Sequence, residues 1–165
     1  TDILNIGNIF DVEEKAQALV DEMKQEIEDA LAKTKGKEAQ TVSVIEFLND
    51  DISNYGASSL AGDMITQLGG ELAAPDAKQV GKEDLVEQNP DVIFVVYMEN
   101  SGDDGEDVKS TCVAKVMEDP AFASLDAVKN GRVYPIMLGD MYASGARTID
   151  GIRNFAAGLY PELNQ

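Results

Sequence analysis

Apolar residues recur at three- and four-residue intervals from Val12 to Leu31, through Ala16, Leu19, Val20, Met23, Ile27 and Ala30. This single stripe predicts one long helix over residues 11–33. Asp11 is placed to cap its start, Glu13 and Glu14 suit its first turn, and Lys33, Lys35 and then Gly36 suit its end. At about 1.5 Å per residue the helix would run roughly 34 Å, the width of a small domain. A core helix would be apolar all round, so the one-sided stripe predicts a helix lying across a domain rather than inside it.

Beyond Gly36 the pattern changes period. "TVSVIEFL" (41–48), "DVIFVVYM" (91–98) and "VYPIML" (133–138) read as strands. The second is apolar almost throughout, as in a parallel sheet buried on both faces. Helices are predicted over about 58–68, 82–88, 108–117 and 146–159, with a helical turn near 122–128. Ser58 or Ser59 caps the first of these and Gly69-Gly70 ends it, while Asn89-Pro90 stops the second. Strands alternating with helices predict an α/β fold, a three-layer Rossmann-like lobe with a mainly parallel sheet and right-handed crossovers. Ligands in such sheets bind beyond the carboxyl ends of the strands. Loops 49–57, 98–107 and 139–145 occupy that edge, and each is longer or more decorated than turn-making needs.

Charge and residue usage remove several functions. Thirteen Lys and Arg stand against 31 Asp and Glu, a formal charge of −18. That field repels nucleic acid and anionic lipid; it serves solubility, or steers a basic partner protein. Histidine is absent, which removes serine–histidine and cysteine–histidine hydrolase sites and histidine-rich zinc sites. Cys112 is alone, so no intramolecular disulfide forms, and its apolar position in a predicted helix suits burial. With 165 residues, 44% of them hydrophobic, the chain suits one globular domain. Its longest apolar run, Val92 to Met98, is too short to cross a bilayer, and no basic, apolar leader opens it.

Motifs of cofactor chemistry do not survive inspection. There is no G-x-G-x-x-G, and Gly36-Lys37 and Gly81-Lys82 both lack the upstream glycine of a phosphate loop. "NSGDDGEDVKST" places Asn100, Asp104 and Gly105 as a calcium loop would, but Gly102 and Thr111 stand where its third and twelfth ligands belong. Asp50-Asp51 and Asp103-Asp104 are adjacent on loops, where carboxylates diverge, and no apolar pocket is evident to separate their pKa values. No catalytic residue and no metal site is predicted.

Five segments in order carry a family resemblance over nearly the whole chain. "IFDVEEKAQALVDEMKQEIEDALAK", "YGASSLAGDMITQLGGELA", "VGKEDLVEQNPDVIFVV", "VKNGRVYPI" and "YASGARTIDGIRNFAAGLYPE" resemble the carboxyl-terminal lobe of the ABC-importer substrate-binding proteins for iron–siderophores, haem and cobalamin. In that family two α/β lobes joined by one long helix close over a ligand. The resemblance makes residues 1–36 the inter-lobe segment with its long backbone helix and residues 37–165 the carboxyl-terminal lobe, with the amino-terminal lobe missing. Residues 1–10 would then be the tail of that lobe or of the crossover.

The same resemblance supplies the expected site. Asp140, Met141 and Tyr142 are expected nearest the ligand, on one lip of the cleft. Tyr55 and Gly56 from the first loop, and Met98, Glu99 and Asn100 from the second, complete it. A tyrosine there can pack its ring on a flat or macrocyclic ligand and donate or ligate through its hydroxyl. Arg147 pairs with a carboxylate or catecholate ligand, or braces the acidic loops; Met98 and Met141 are alternatively caps of the core. The expected ligand is a ferric siderophore, with cobalamin second; haem is not favoured, because no histidine is available to its iron. No intrinsic cofactor is implied. Glu83 occupies the place of the second-lobe glutamate that docks on arginines of the membrane permease, an acidic surface contact. The resemblance implies an extracytoplasmic protein, periplasmic or cell-surface, held to the membrane only by a lipid anchor outside this chain. The alternative function is an enzyme or regulatory domain using the same loops of a similar sheet for a small molecule, because fold alone does not decide between them.

Overall fold

A computed structural model describes residues 2–49, 51–100, 102, 104–142, 145 and 147–164. Two helices open the chain, α1 (Asp2–Ile9) and α2 (Glu13–Thr34), where one was expected. The break is at Asp11, whose φ of 53° puts it in the left-handed region. Asp11 therefore does not cap α2; Val12 holds that position and makes no side-chain cap. Gly7 permits the sharp return, since a Cβ there would sit 2.4 Å from Ala16 Cβ. Gly36, at φ 79°, ends the second helix as its sequence implied.

The sheet holds β1 (Thr41–Leu48), β2 (Asp51–Asn54), β3 (Glu71–Leu72), β4 (Val92–Tyr97) and β5 (Val133–Met137). Its order is β2-β1-β4-β5, with β3 beside the first residues of β1. The β1–β4, β4–β5 and β1–β3 pairs are parallel and the β1–β2 pair is antiparallel. β2 is a correction, because the polar stretch after Leu48 was expected to be loop. Asn49, at φ 55°, follows β1 in the left-handed region, and Leu48 pairs with Asp51. Ile52 is the strand's one buried apolar anchor, too little to show as a periodic pattern.

Each face of the sheet carries its own apolar layer. On one face Val42, Val44, Phe94 and Ile136 meet α3 (Leu60–Gln67) and α8 (Thr148–Leu159), with Phe94 and Phe155 edge-to-face at 4.8 Å. On the other face Ile45, Ile93 and Val95 meet α4 (Lys82–Gln88) and α5 (Gly105–Met117), with Phe122 and Leu125 from the connection that follows. That connection holds a short turn at Pro120–Phe122 and α6 (Asp126–Lys129). The lobe is thus three-layered and mainly parallel, as expected. α2 docks only by its last turns, where Ile27, Ala30 and Leu31 pack partly buried on the first layer. Leu19 near its start is exposed, along with Leu4, Ile6, Ile9 and Phe10 of the preceding helix and turn.

Two close approaches pin the helices to the sheet edge. Ser59 caps α3 by accepting from Gly62 N at 3.0 Å. Gly62 itself lies against the first loop, where an added Cβ would be 2.2 Å from Gly56 O.

Candidate functional site

The strands end at Leu48, Tyr97 and Met137, and the three decorated segments converge on that edge. The first contributes Tyr55, half-buried, whose hydroxyl donates to Glu46 Oε2 at 2.6 Å. Burial and the Glu46 carboxylate raise the Tyr55 pKa far above its ordinary range, and Tyr142 is near enough to add to the effect. Gly56 is buried against the backbone of Pro75, with no room for a side chain. From the second segment Met98 is 57% exposed, and Glu99 and Asn100 are exposed beside it. Ser101 and Asp103 of the acidic loop, like Asp50 of the first, lie outside the described residues. Among the described residues no group of three metal-ligating side chains forms.

The third segment departs from expectation. Instead of a loop from residue 139, the chain makes a helical turn, α7 (Leu138–Met141), directly after β5. That turn points Met141 inward, where it is fully buried in the core with Ile152 and Phe155. Met141 is therefore a core cap and not a lip residue. Asp140 is also buried, and its Oδ1 accepts from Arg147 Nε at 2.8 Å and Nη2 at 2.6 Å. Arg147 Nη2 also reaches Met137 Sδ. The arginine thus braces the loop, one of the two roles open for it from sequence, while its side chain stays about half exposed. Tyr142 is 67% exposed at the lip. Ala143, Ser144 and Ala146 lie outside the described residues.

Two cavities open along this edge. One, of about 520 Å³, lies between the ends of β1 and β4 and the α5 helix, and includes Glu46, Phe47, Met98, Asp107 and Cys112. The other, of about 440 Å³, lies beside β5 and is closed by α5, α7 and α8. Tyr97 lines both. It was not among the expected site residues, although an aromatic closing a buried apolar run at a sheet's carboxyl edge is a usable signal. Lys109 and Arg153, which line the second cavity, sit on helices whose local pattern gives no such sign.

Burial here has a consequence for pH. It pushes the Cys112 thiol up from 9.0 to about 11, and raises the hydroxyls of Tyr55, Tyr97 and Tyr160. Each group is neutral when protonated, so the folded chain keeps these protons to higher pH than the unfolded chain does. Their contribution is fully present below the unfolded values and is lost as pH rises through the folded ones. The denaturation midpoint should fall between pH 9.0 and about 11, with the early part of the fall reduced in Cys112→Ala. A midpoint flat across that window would contradict the assignment.

The matches to known proteins fit this arrangement. Residues 1–137 match the family described as periplasmic binding protein. The chain is 31% identical over 163 residues to the ABC transporter substrate-binding lipoprotein YvrC of Bacillus subtilis strain 168, covering 95% of this chain and 48% of that one. A periplasmic binding protein from Veillonella parvula DSM 2008 superposes with a TM-score of 0.84 at 28% identity, over 98% of this chain and 50% of that chain. The petrobactin-binding protein YclQ from Bacillus subtilis gives 0.71 at 26% identity, over 94% and 56%. The chain spans about half the length of these relatives. The family is one of extracytoplasmic binding proteins rather than enzymes, which sets the enzyme alternative aside. By the match over 137 of its 165 residues, the chain belongs to the periplasmic binding protein family.

Proposed function

We propose that this chain is the second lobe, with its linking helix, of the substrate-binding component of an ABC importer, and that it captures a ferric siderophore. Cobalamin is the second choice and haem the third, because no histidine is present to meet haem iron. The observation that carries the reading is the carboxyl edge of the sheet, where exposed Tyr142 stands near Tyr55 with Met98 on the neighbouring segment. Aromatic and thioether surfaces presented together suit a large, flat-sided chelate. A relative that binds petrobactin supports the ligand class. Residues 1–36 form the inter-lobe segment in this reading, and the exposed apolar side chains of Leu4, Ile6, Ile9 and Phe10 are where a preceding lobe packs.

Half a cleft leaves a chelate largely hydrated, so residues 1–165 alone should bind ferric siderophores orders of magnitude more weakly than the two-lobe protein. Calorimetry on both forms tests this. Equal, tight binding by the single lobe would sink it.

Delivery to a permease is assigned to Glu83. It lies exposed in the first turn of α4 and makes no ion pair among the described residues. The capping work at that helix start belongs to its neighbour, Asp84, whose Oδ2 accepts from Gly81 N at 2.7 Å. Glu83 is thereby left free to receive a guanidinium by a forked pair of hydrogen bonds. In the two-lobe protein, Glu83→Gln should preserve ligand affinity and melting yet weaken transport, more visibly at low salt. Transport that survives Glu83→Arg would rule the docking role out.

A further inference from the structure

The first segment of the lip is fixed residue by residue. Asn54 N donates to Lys78 O at 2.9 Å, and its side-chain Nδ2 donates to the carbonyls of Ala74 and Ala77 at 2.8 and 2.9 Å. Tyr55 N donates to Val44 O at 2.9 Å, and Ala57 N to Pro75 O at 2.8 Å. Gly56 has the backbone of Pro75 where a Cβ would stand, and its own carbonyl accepts from Ser59 Oγ at 2.7 Å. The backbone beneath Tyr55 is thus held from both sides.

On a fixed backbone a tyrosine still has its side-chain torsions to lose. Glu46 removes that freedom. It stands on β1 two residues after Val44, on the same face, so one strand holds both the amide and the hydroxyl of Tyr55. The hydroxyl donates to Glu46 Oε2 at 2.6 Å, a short bond to a carboxylate and so of the stronger kind. The ring between these two anchors packs partly buried on the first apolar layer. Its remaining surface is therefore set in place before any ligand arrives. A side chain ordered in advance has less freedom to lose on binding, which raises affinity without a new contact.

We propose that Glu46 is a positioning residue for ligand capture, holding the Tyr55 ring at the lip as a preformed platform for the chelate. This rests on the reading of the lobe as a chelate binder and adds the group that makes one of its lip residues rigid. Because its hydroxyl proton is committed to Glu46, Tyr55 meets the chelate with its ring and not as an oxygen ligand of the iron.

The test uses the 15N-labelled chain with its tyrosines 13C-labelled at Cζ, since NMR shifts register weak binding and report its place. The probes are the gallium(III) complexes of desferrioxamine B and of 2,3-dihydroxybenzoate, diamagnetic stand-ins for ferric chelates. Burial and the Glu46 carboxylate hold the Tyr55 hydroxyl protonated, so its Cζ signal should titrate at lower pH in Glu46→Ala than in the parent. Either complex should shift the amides of residues 54–57. Glu46→Ala should weaken that binding by about two- to tenfold, the loss expected when one ordered side chain regains its rotamers. Glu46→Gln, which restores an acceptor without the charge, should recover most of it. Tyr55→Phe should lose a similar factor, and adding Glu46→Ala to it should lose nothing more. An unaltered amide spectrum elsewhere shows that the fold persists. Glu46 also lines the 520 Å³ cavity, and losses that multiply in the double variant would mean that it acts there independently, overturning the positioning role. So would a Tyr55→Phe chain that binds like the parent, a Tyr55 titration indifferent to Glu46→Ala, or shifts that spare residues 54–57, each leaving the binding function standing. Absence of shifts with both complexes at millimolar concentration would overturn both.

Discussion

Met141→Ala is expected to lower the unfolding free energy by about 2–5 kcal/mol, the usual cost of emptying a core site of that size. Tyr142→Ala, one residue further, should change it by no more than about 0.5 kcal/mol, because its ring is mostly in solvent. Ligand affinity should show the opposite order. In the two-lobe protein Tyr142→Ala removes a ring from the lip, whereas Met141→Ala acts on binding only through loss of folded protein. Chemical denaturation and calorimetry on the same pair of variants separate the two effects. A Met141→Ala protein with unchanged stability and impaired binding would return Met141 to the lip. Tyr160→Ala should also destabilise the fold, because Tyr160 is buried and its hydroxyl donates to Leu68 O at 3.3 Å.

The second large effect is expected at Gly62. An alanine Cβ there would lie 2.2 Å from Gly56 O, 2.8 Å from Gly56 C and 3.2 Å from Ala57 Cα, all of them backbone atoms. Backbone of this kind cannot rotate aside as a side chain can. Gly62→Ala should cost about 1–3 kcal/mol and Gly62→Val more, by thermal or chemical denaturation. The displaced segment carries Tyr55, so the Tyr55–Glu46 hydrogen bond should loosen as well, visible as a fall in the Tyr55 hydroxyl pKa toward its ordinary range. A stable Gly62→Val protein would mean that α3 stands further from the first loop than described.

Legibility in the sequence followed the strength of local signals. α4 was found at its bounds, Lys82–Gln88, because Asn89-Pro90 is a double stop; Asn89 adopts the left-handed cap, at φ 43°. The glycines at 36 and 69 marked helix ends for the same reason, both taking positive φ. β2 escaped notice because a four-residue strand with one buried side chain has no period. The break at Asp11 also escaped, since the apolar stripe runs on past it and a carboxylate before a helix looks like a cap. At the site, proximity was legible and direction was not. Residues 140–142 do gather at the sheet's end, but a single helical turn sends Met141 and Asp140 inward and Tyr142 outward. That Lys109 meets Arg147 and Arg153 at the second cavity was not legible, because it lies 38 residues before the nearer of them.

The place of α8 sets the time at which this lobe can fold. Phe94 on β4 is covered by Phe155, and Gly158 comes so near that a Cβ would lie 2.5 Å from the Phe94 ring. Arg132, ahead of β5, donates to the carbonyls of Gly158 and Leu159, fastening that helix end to the sheet. Until α8 arrives, the first apolar layer is an open surface on a growing polypeptide. Chaperones and proteases that read exposed aromatic faces would therefore meet this lobe until α8 has been made and has docked.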